Sequence, residues 1–247
     1  MTVLTDRATD PAVLDDLRDV RLGQAFFSRA LNELRNDELA EPSRLAGWSR
    51  AHVAAHVGYN ARAITRLVEW AETGVETPMY SSASERTAEI EMGATLSPRA
   101  LRHLSDHAAV SLDVAWRDLP PDRWTARVRT ALGRDVPVSE TVWMRTREVW
   151  LHAVDLGAGH DRLGARVDDI PGRVAVRLIG DVLSLWVARG EQRVRLECVD
   201  TEEAFGEAGG LVLCGRRAAL LAWATGRSSA GVLTGDGALP PTAPAWI

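Results

Sequence analysis

The chain has 247 residues, 46% of them hydrophobic, with a net charge of -5 and a pI near 5.7. That length suits one large domain or two modest ones, and the acidic balance lacks the electrostatic footprint of a nucleic-acid binder. A mean hydropathy of -0.12, with no apolar run near the ~20 residues that span a bilayer, argues against an integral membrane protein. The polar opening MTVLTDRATD does not read as a signal peptide, so the expected compartment is cytoplasmic, with neither membrane nor nucleic acid as partner. Cys198 and Cys214 form no C-x-x-C pair and sit in strand-like runs, which reads as two small buried hydrophobes. Thiol chemistry, if any, then uses a thiol from outside the protein.

Apolar residues at Leu14, Leu17, Val20, Phe27, Leu31 and Leu34 recur with three–four spacing, interrupted by Gln24, and predict an amphipathic helix over residues 11–35. Residues 36–47 are turn-rich. Ser49 then caps a second helix running to Thr73, where Gly74 stops it. Its polar stripe runs through Arg62, Arg66 and Glu69, which turns His52, His56, Ala63 and Leu67 inward. Residues 75–96 form a long crossover with a short helix near 85–92; connections of this length usually cover or line a site.

Ser97–Pro98 starts a third long helix that Pro120–Pro121 ends, with His103 and His107 on its flank. Residues 124–138 read as a hairpin, and Ser139 is expected to cap a fourth helix ending near residues 157–159. Four long helices with one extended crossover predict a bundle, a frequent host for metal sites. Beyond it lie a helix over 171–190, strands at 193–200 and 211–216, a short helix over 217–225 and a strand at 231–234. The expected fold class is mainly α, a four-helix bundle over residues 1–160 followed by a small α+β domain over 161–247.

The chemistry centres on the fourth helix. Glu148 and His152 are four residues apart, one above the other on a single face. Trp143, Val149, Trp150, Leu151 and Val154 surround them, so the carboxylate faces a large desolvation cost unless a cation meets it. An inward histidine on the second helix makes a His₂Glu set, which zinc accepts while keeping a fourth position open. His52 and His56, one turn apart, compete for that place. Such an ion carries about one net positive charge and favours a bound thiolate over the thiol.

The segments GWSRAHVAAHVGYNA (47–61), GVETPMY (74–80), SETVWMRTREVWLHAVDLGA (139–158) and ATGRSSAGV (224–232) resemble the mycothiol-dependent maleylpyruvate isomerases, whose N-terminal half is a DinB-like metal-binding bundle. The resemblance implies His56, Glu148 and His152 as metal ligands, leaving His52 outside the set. It implies Arg227 as a catalytic residue that binds a substrate carboxylate in fork geometry; the residue alone reads as a cation at a helix C-terminus. The implied cofactors are zinc, as one divalent ion, and mycothiol, a low-molecular-weight thiol. The implied reaction is cis–trans isomerisation of maleylpyruvate to fumarylpyruvate in gentisate degradation: thiolate adds to the alkene, the resulting single bond rotates, and the thiol is expelled. The small C-terminal domain would complete the active site, in a monomer taking a small-molecule substrate. Asn60, Arg145 and Asp155 are expected either to support the ligands or to lie in solvated helix salt bridges. A mycothiol S-transferase and a metal-stabilised binding module are the alternative readings.

Overall fold

The computed structural model describes residues 5–157, 164–191 and 193–246. Helix ends fall where local side chains satisfy backbone groups that a helix leaves unpaired. Asp10 accepts from the Ala12 N–H and Pro11 occupies the first turn of α1, Pro11–Glu33. Ser49 and His52 form a reciprocal capping box at the start of α2, Arg50–Thr73. That helix stops at Gly74, whose left-handed φ of 75° lets its N–H reach the Trp70 carbonyl. Ser82 and Ser97 cap α3, Ala83–Ala94, and α4, Pro98–Asp118. The crossover helix α3 is longer than its sequence pattern predicts.

A two-stranded hairpin follows, β1 (Arg127–Arg129) antiparallel to β2 (Asp135–Pro137), with Val128 opposite Val136. It leads into α5, Glu140–Asp155. Ser139 stands at the N-cap position but is itself helical and its side chain makes no capping bond, contrary to expectation. Helices α1, α2, α4 and α5 form the bundle: α2 packs on α4 and α5, and α1 packs on α5 and α4. Helix α3 lies against α2. Phe27, Leu31, Val53, Ile64, Leu67, Leu101, Leu112, Val149 and Leu151 form the buried interior.

The chain divides into two compact units, Met1–Ala165 and Arg166–Ile247. The expected boundary at 160/161, and His160 with it, lies outside the described residues. In the second unit α6 (Gly172–Arg189) precedes a four-stranded sheet of order β4-β3-β5-β6. Strand β3 (Val194–Cys198) pairs antiparallel with β4 (Ala204–Gly206) and parallel with β5 (Leu211–Gly215). Helix α7 (Arg217–Ala224) connects β5 to the edge strand β6 (Val232–Thr234). The architecture is mainly α with a small α+β C-terminal part, as expected. The cysteines are a correction: both are free but only half-buried, Cys214 because strand alternation turns Leu213 inward and its neighbour outward, and Cys198 at the exposed end of β3. Among the described residues no helix is long and apolar enough to cross a membrane.

Two contacts set how α1 holds the rest. A Cβ at Gly23 would stand 2.6 Å from Trp150 Nε1 and 2.7 Å from Val149 Cγ2, so α1 and α5 touch where only a hydrogen fits. Gly23→Ala should push α5 off α1 and lower stability by about 1–3 kcal/mol, partly offset by better helix propensity. An unchanged denaturation midpoint would contradict that packing. Arg21 donates to Asp6 at 2.6 and 2.7 Å and to Asp113 of α4 at 2.7 Å. The Arg21 hydrogen bond holds the Asp6 carboxyl below its usual range. Its contribution is therefore present above the unfolded carboxylate pKa and lost as pH falls through the lower folded value. Asp6→Asn should cost on the order of 1 kcal/mol at pH 7, because the pair is partly solvent-screened, and the difference from wild type should vanish in acid melts.

Candidate metal centre

Burial of α5 on nearly every side turns its polar residues into constrained ones: of the helix, Glu148, His152 and Arg145 all face other protein groups. The Glu148 Oε2 lies 2.7 Å from His56 Nε2, which comes across from α2, and 3.1 Å from His152 Nε2, one turn further along α5. The two imidazoles meet edge to face, with centroids 4.9 Å apart. One potential ligand atom from each of the three residues lies within 4.8 Å of the others, the only such group of three or more among the described residues. Their side chains are 6%, 18% and 14% exposed, so an ion there would be largely screened from water.

The second nitrogens of the two rings are held differently. His152 Nδ1 lies 2.8 Å from Asp155 Oδ2, a fully buried carboxylate that fixes the ring so that Nε2 points at Glu148. His56 Nδ1 instead faces Arg86 of α3, at 3.5 Å. Electrostatics follow this layout. Burial pushes the His56 imidazole below its ordinary value, against the pull of Glu148, which leaves it neutral and able to donate a lone pair. Burial also lowers His152, but hydrogen bonds to Asp155 and Glu148 outweigh it and raise the ring to about 9. Burial tends to raise Glu148, yet the two histidines hold it well below the usual carboxylate range.

Asn60, Arg145 and Asp155 are not solvated, which corrects one of the two expectations for them. Arg145 is 1% exposed and spends its guanidinium on two other helices: Nη1 donates to the Val57 carbonyl at 2.6 Å and to Asn60 Oδ1 at 2.9 Å, both on α2, and Nη2 donates to Gln24 Oε1 of α1 at 2.8 Å. Burial lowers it to about 10, still charged at neutral pH. The polar interruption of the α1 stripe, Gln24, is thus the acceptor that α5 requires. The ends of α2 and α5 are tied as well. Buried Arg50 at the start of α2 donates to the Leu156 carbonyl at 2.7 Å, and the Arg44 N–H donates to the Asp155 carbonyl at 2.9 Å.

The remaining histidines are elsewhere. His52 Nδ1 is engaged with Ser49, 2.7 Å from its Oγ, and Nε2 lies 3.3 Å from Glu91. Its place in the capping box gives it a structural duty at the helix start, one turn from His56. His103 and His107 stack on each other on the exposed flank of α4. Arg227 belongs to the second unit, where its Nη1 donates to the Thr225 carbonyl at 3.0 Å, at the end of α7. Tyr80 and Arg86 escape a periodicity argument, although Tyr80 closes one of the four segments singled out in the sequence.

Sequence comparison with curated proteins gives no match. Residues 20–157 match the family described as the mycothiol maleylpyruvate isomerase N-terminal domain. Among solved structures, the crystal structure of the mycothiol-dependent maleylpyruvate isomerase is similar at 42% identity and a TM-score of 0.89, covering 95% of this chain and 97% of that one. The structure of a histidine-to-alanine mutant of that enzyme is similar to the same degree, again 42% identical over 95% of this chain. A bundle with a buried His₂Glu cluster, a family match across the residues that build it, and likeness through both units lead to one conclusion: this chain belongs to the mycothiol-dependent maleylpyruvate isomerase family of enzymes.

Proposed function

We propose that this chain catalyses the mycothiol-dependent cis–trans isomerisation of maleylpyruvate to fumarylpyruvate, using one zinc ion bound by His56, Glu148 and His152. The observation that carries this reading is the convergence of two imidazole nitrogens on one sequestered carboxylate oxygen, in a chain so similar to a solved isomerase. The donor set fits the metal. Two neutral imidazoles and one carboxylate suit zinc's preference for nitrogen and oxygen ligands and leave a fourth position for an exogenous one. Zinc supplies the Lewis acidity that keeps a thiol deprotonated near neutral pH, and mycothiol supplies the sulfur whose reversible addition makes the double bond single long enough to rotate.

The protein's own groups have distinct parts in this scheme. Glu148 would cancel one of the two charges of a bound divalent ion, which would favour an anionic sulfur ligand in these low-dielectric surroundings. Asp155 holds the proton on His152 Nδ1 and so reserves Nε2 for the metal. The Trp48 ring, whose centroid is 5.4 Å from that of His56, helps to keep water from the ligands. Arg227 binds a substrate carboxylate and stabilises the negative charge that develops when sulfur adds to the alkene. A cytoplasmic setting, where low-molecular-weight thiols stay reduced, and a place in gentisate degradation accord with this chemistry.

The purified zinc-loaded protein should convert maleylpyruvate only when mycothiol is added, followed by the change in diene absorbance; no turnover overturns the assignment. His56→Ala should abolish turnover and weaken zinc binding by about two orders of magnitude or more, whereas His52→Ala should keep one zinc per chain. The opposite pattern of metal content would exchange the ligand roles. Arg227→Lys retains charge but loses the two-pronged geometry, so turnover should fall at least ~10-fold with the melting temperature nearly unchanged. Near-normal kinetics would return Arg227 to a structural role at the end of α7, where it meets the Thr225 carbonyl.

A further inference from the structure

The second unit has a cavity of about 610 Å³ between α6 and the β4 edge of its sheet. Gly180, Leu183, Ser184 and Val187 are spaced i, i+3, i+4 and i+7, so one face of α6 lines it. Val194 of β3 and Phe205 of β4 line it from the sheet. In the antiparallel register Phe205 lies across from the fully buried Leu196, so both side chains leave the sheet on the same side. Phe205 is nevertheless only half-buried, an aromatic on the covered side of the sheet with the cavity beside it. Arg193 and Glu207, both exposed, pair with each other at 2.9 Å on the rim.

Two of the lining residues have no explanation within the chain. A glycine inside a helix weakens it relative to alanine, so its presence calls for a reason. The other helical glycines among the described residues lie against a neighbour: a Cβ would stand 2.6 Å from Trp150 at Gly23, 3.0 Å from Leu104 at Gly58, 2.6 Å from Tyr59 at Gly93 and 2.8 Å from Arg217 at Gly172. At Gly180, in the middle of α6, it would meet nothing within 4 Å. The second residue is Trp186, 2% exposed and packed edge to face on Trp223 with ring centroids 5.6 Å apart. Trp223 gives its indole N–H to the Pro241 carbonyl at 2.8 Å, whereas the buried Trp186 Nε1 has no acceptor. Buried donors are almost always matched. A residue that lines a cavity and keeps such a donor is matched from outside the chain.

We propose that this cavity binds a small, uncharged carbonyl compound with an apolar aromatic body, whose oxygen accepts from Trp186 Nε1. The volume is that of a small-molecule site, and apolar walls with few polar groups are the usual composition of one. Leu183 and Val187 supply apolar contact, Phe205 and Trp186 favour a flat ring, and Gly180 leaves the room for it. Because Arg193 and Glu207 neutralise one another, the cavity offers no net charge to a carboxylate or an amine. None of the lining residues belongs to the His56–Glu148–His152 cluster, and binding here needs neither the metal nor the isomerase reading.

The test is fluorescence titration of the full chain with prodan, an uncharged naphthyl ketone. Its emission moves to the blue in apolar surroundings and back to the red when its carbonyl accepts a hydrogen bond. Wild type should bind one prodan saturably. Gly180→Leu fills the space, so it should weaken binding at least ~10-fold, while better helix propensity keeps the melting temperature level or higher. Gly180→Ala should bind nearly as wild type does. Trp186→Phe keeps a ring and removes the donor, so affinity should fall ~3-fold or more and the emission of the bound dye should shift further to the blue. Acetylnaphthalene should displace the dye at least ~10-fold better than naphthoate, which matches it in size but is charged. Absence of saturable binding by wild type overturns the proposal, as does equal affinity in Gly180→Leu, or a Trp186→Phe variant unchanged in both affinity and emission. Equal displacement by the ketone and the carboxylate overturns the assignment of an uncharged ligand. Should Gly180→Leu fail to fold, the affinity and emission of Trp186→Phe decide.

Discussion

A carboxylate pinned between two imidazoles and shut away from water is the constraint that the first unit is built to meet. An isolated buried charge is prohibitively costly, and Glu148 is tolerated because His56 and His152 both point at it. Those histidines come from different helices, so the electrostatics of one side chain fix how α2 and α5 must approach. Arg145 works to the same end one turn earlier on α5. Its guanidinium is satisfied by an α2 carbonyl, an α2 amide and an α1 amide, which leaves the cation paired in three directions and ties three helices at one depth. Arg50 and Arg44 secure the far end of α5 through main-chain carbonyls. The geometry of the His56–Glu148–His152 cluster is therefore over-determined by hydrogen bonds around it as well as by apolar packing.

The two histidines, alike in facing Glu148, differ in what stands behind them. His152 is backed by a buried carboxylate, which strengthens its donor nitrogen, while His56 is backed by a guanidinium, which does the reverse. The cluster is thus polarised, with negative charge behind the α5 histidine and positive charge behind the α2 histidine.

Much of this was legible in the amino-acid order because it is local. Ser49, Gly74 and Ser97–Pro98 mark helix ends through bonds within a few residues, and the structure has those ends where the residues imply them. Glu148 and His152 announce themselves by a four-residue spacing inside an apolar helix. The choice between His52 and His56 was harder, since one turn leaves both on nearly the same face; the difference is that His52 occupies the third position of a capping box and is used there. What stayed hidden depends on partners far along the chain. Periodicity cannot tell that Arg145 finds Gln24 more than a hundred residues away, although a glutamine in an apolar stripe was the visible trace of it. The three-residue strand β4 carries too short a pattern to stand out, and Arg86 sits on a crossover helix whose inward face is only Ile90 and Gly93 wide.

The division of labour between the bundle and its crossover has an evolutionary side. The residues of the His56–Glu148–His152 cluster reside on α2 and α5, whereas Tyr80 and Arg86 reside on the segment joining α2 to α4. Loop-borne segments tolerate replacement far better than packed helices do. Residues 75–96 can therefore change, between members of the family, with less disturbance to packing than any change in the helices that bear the His56–Glu148–His152 cluster.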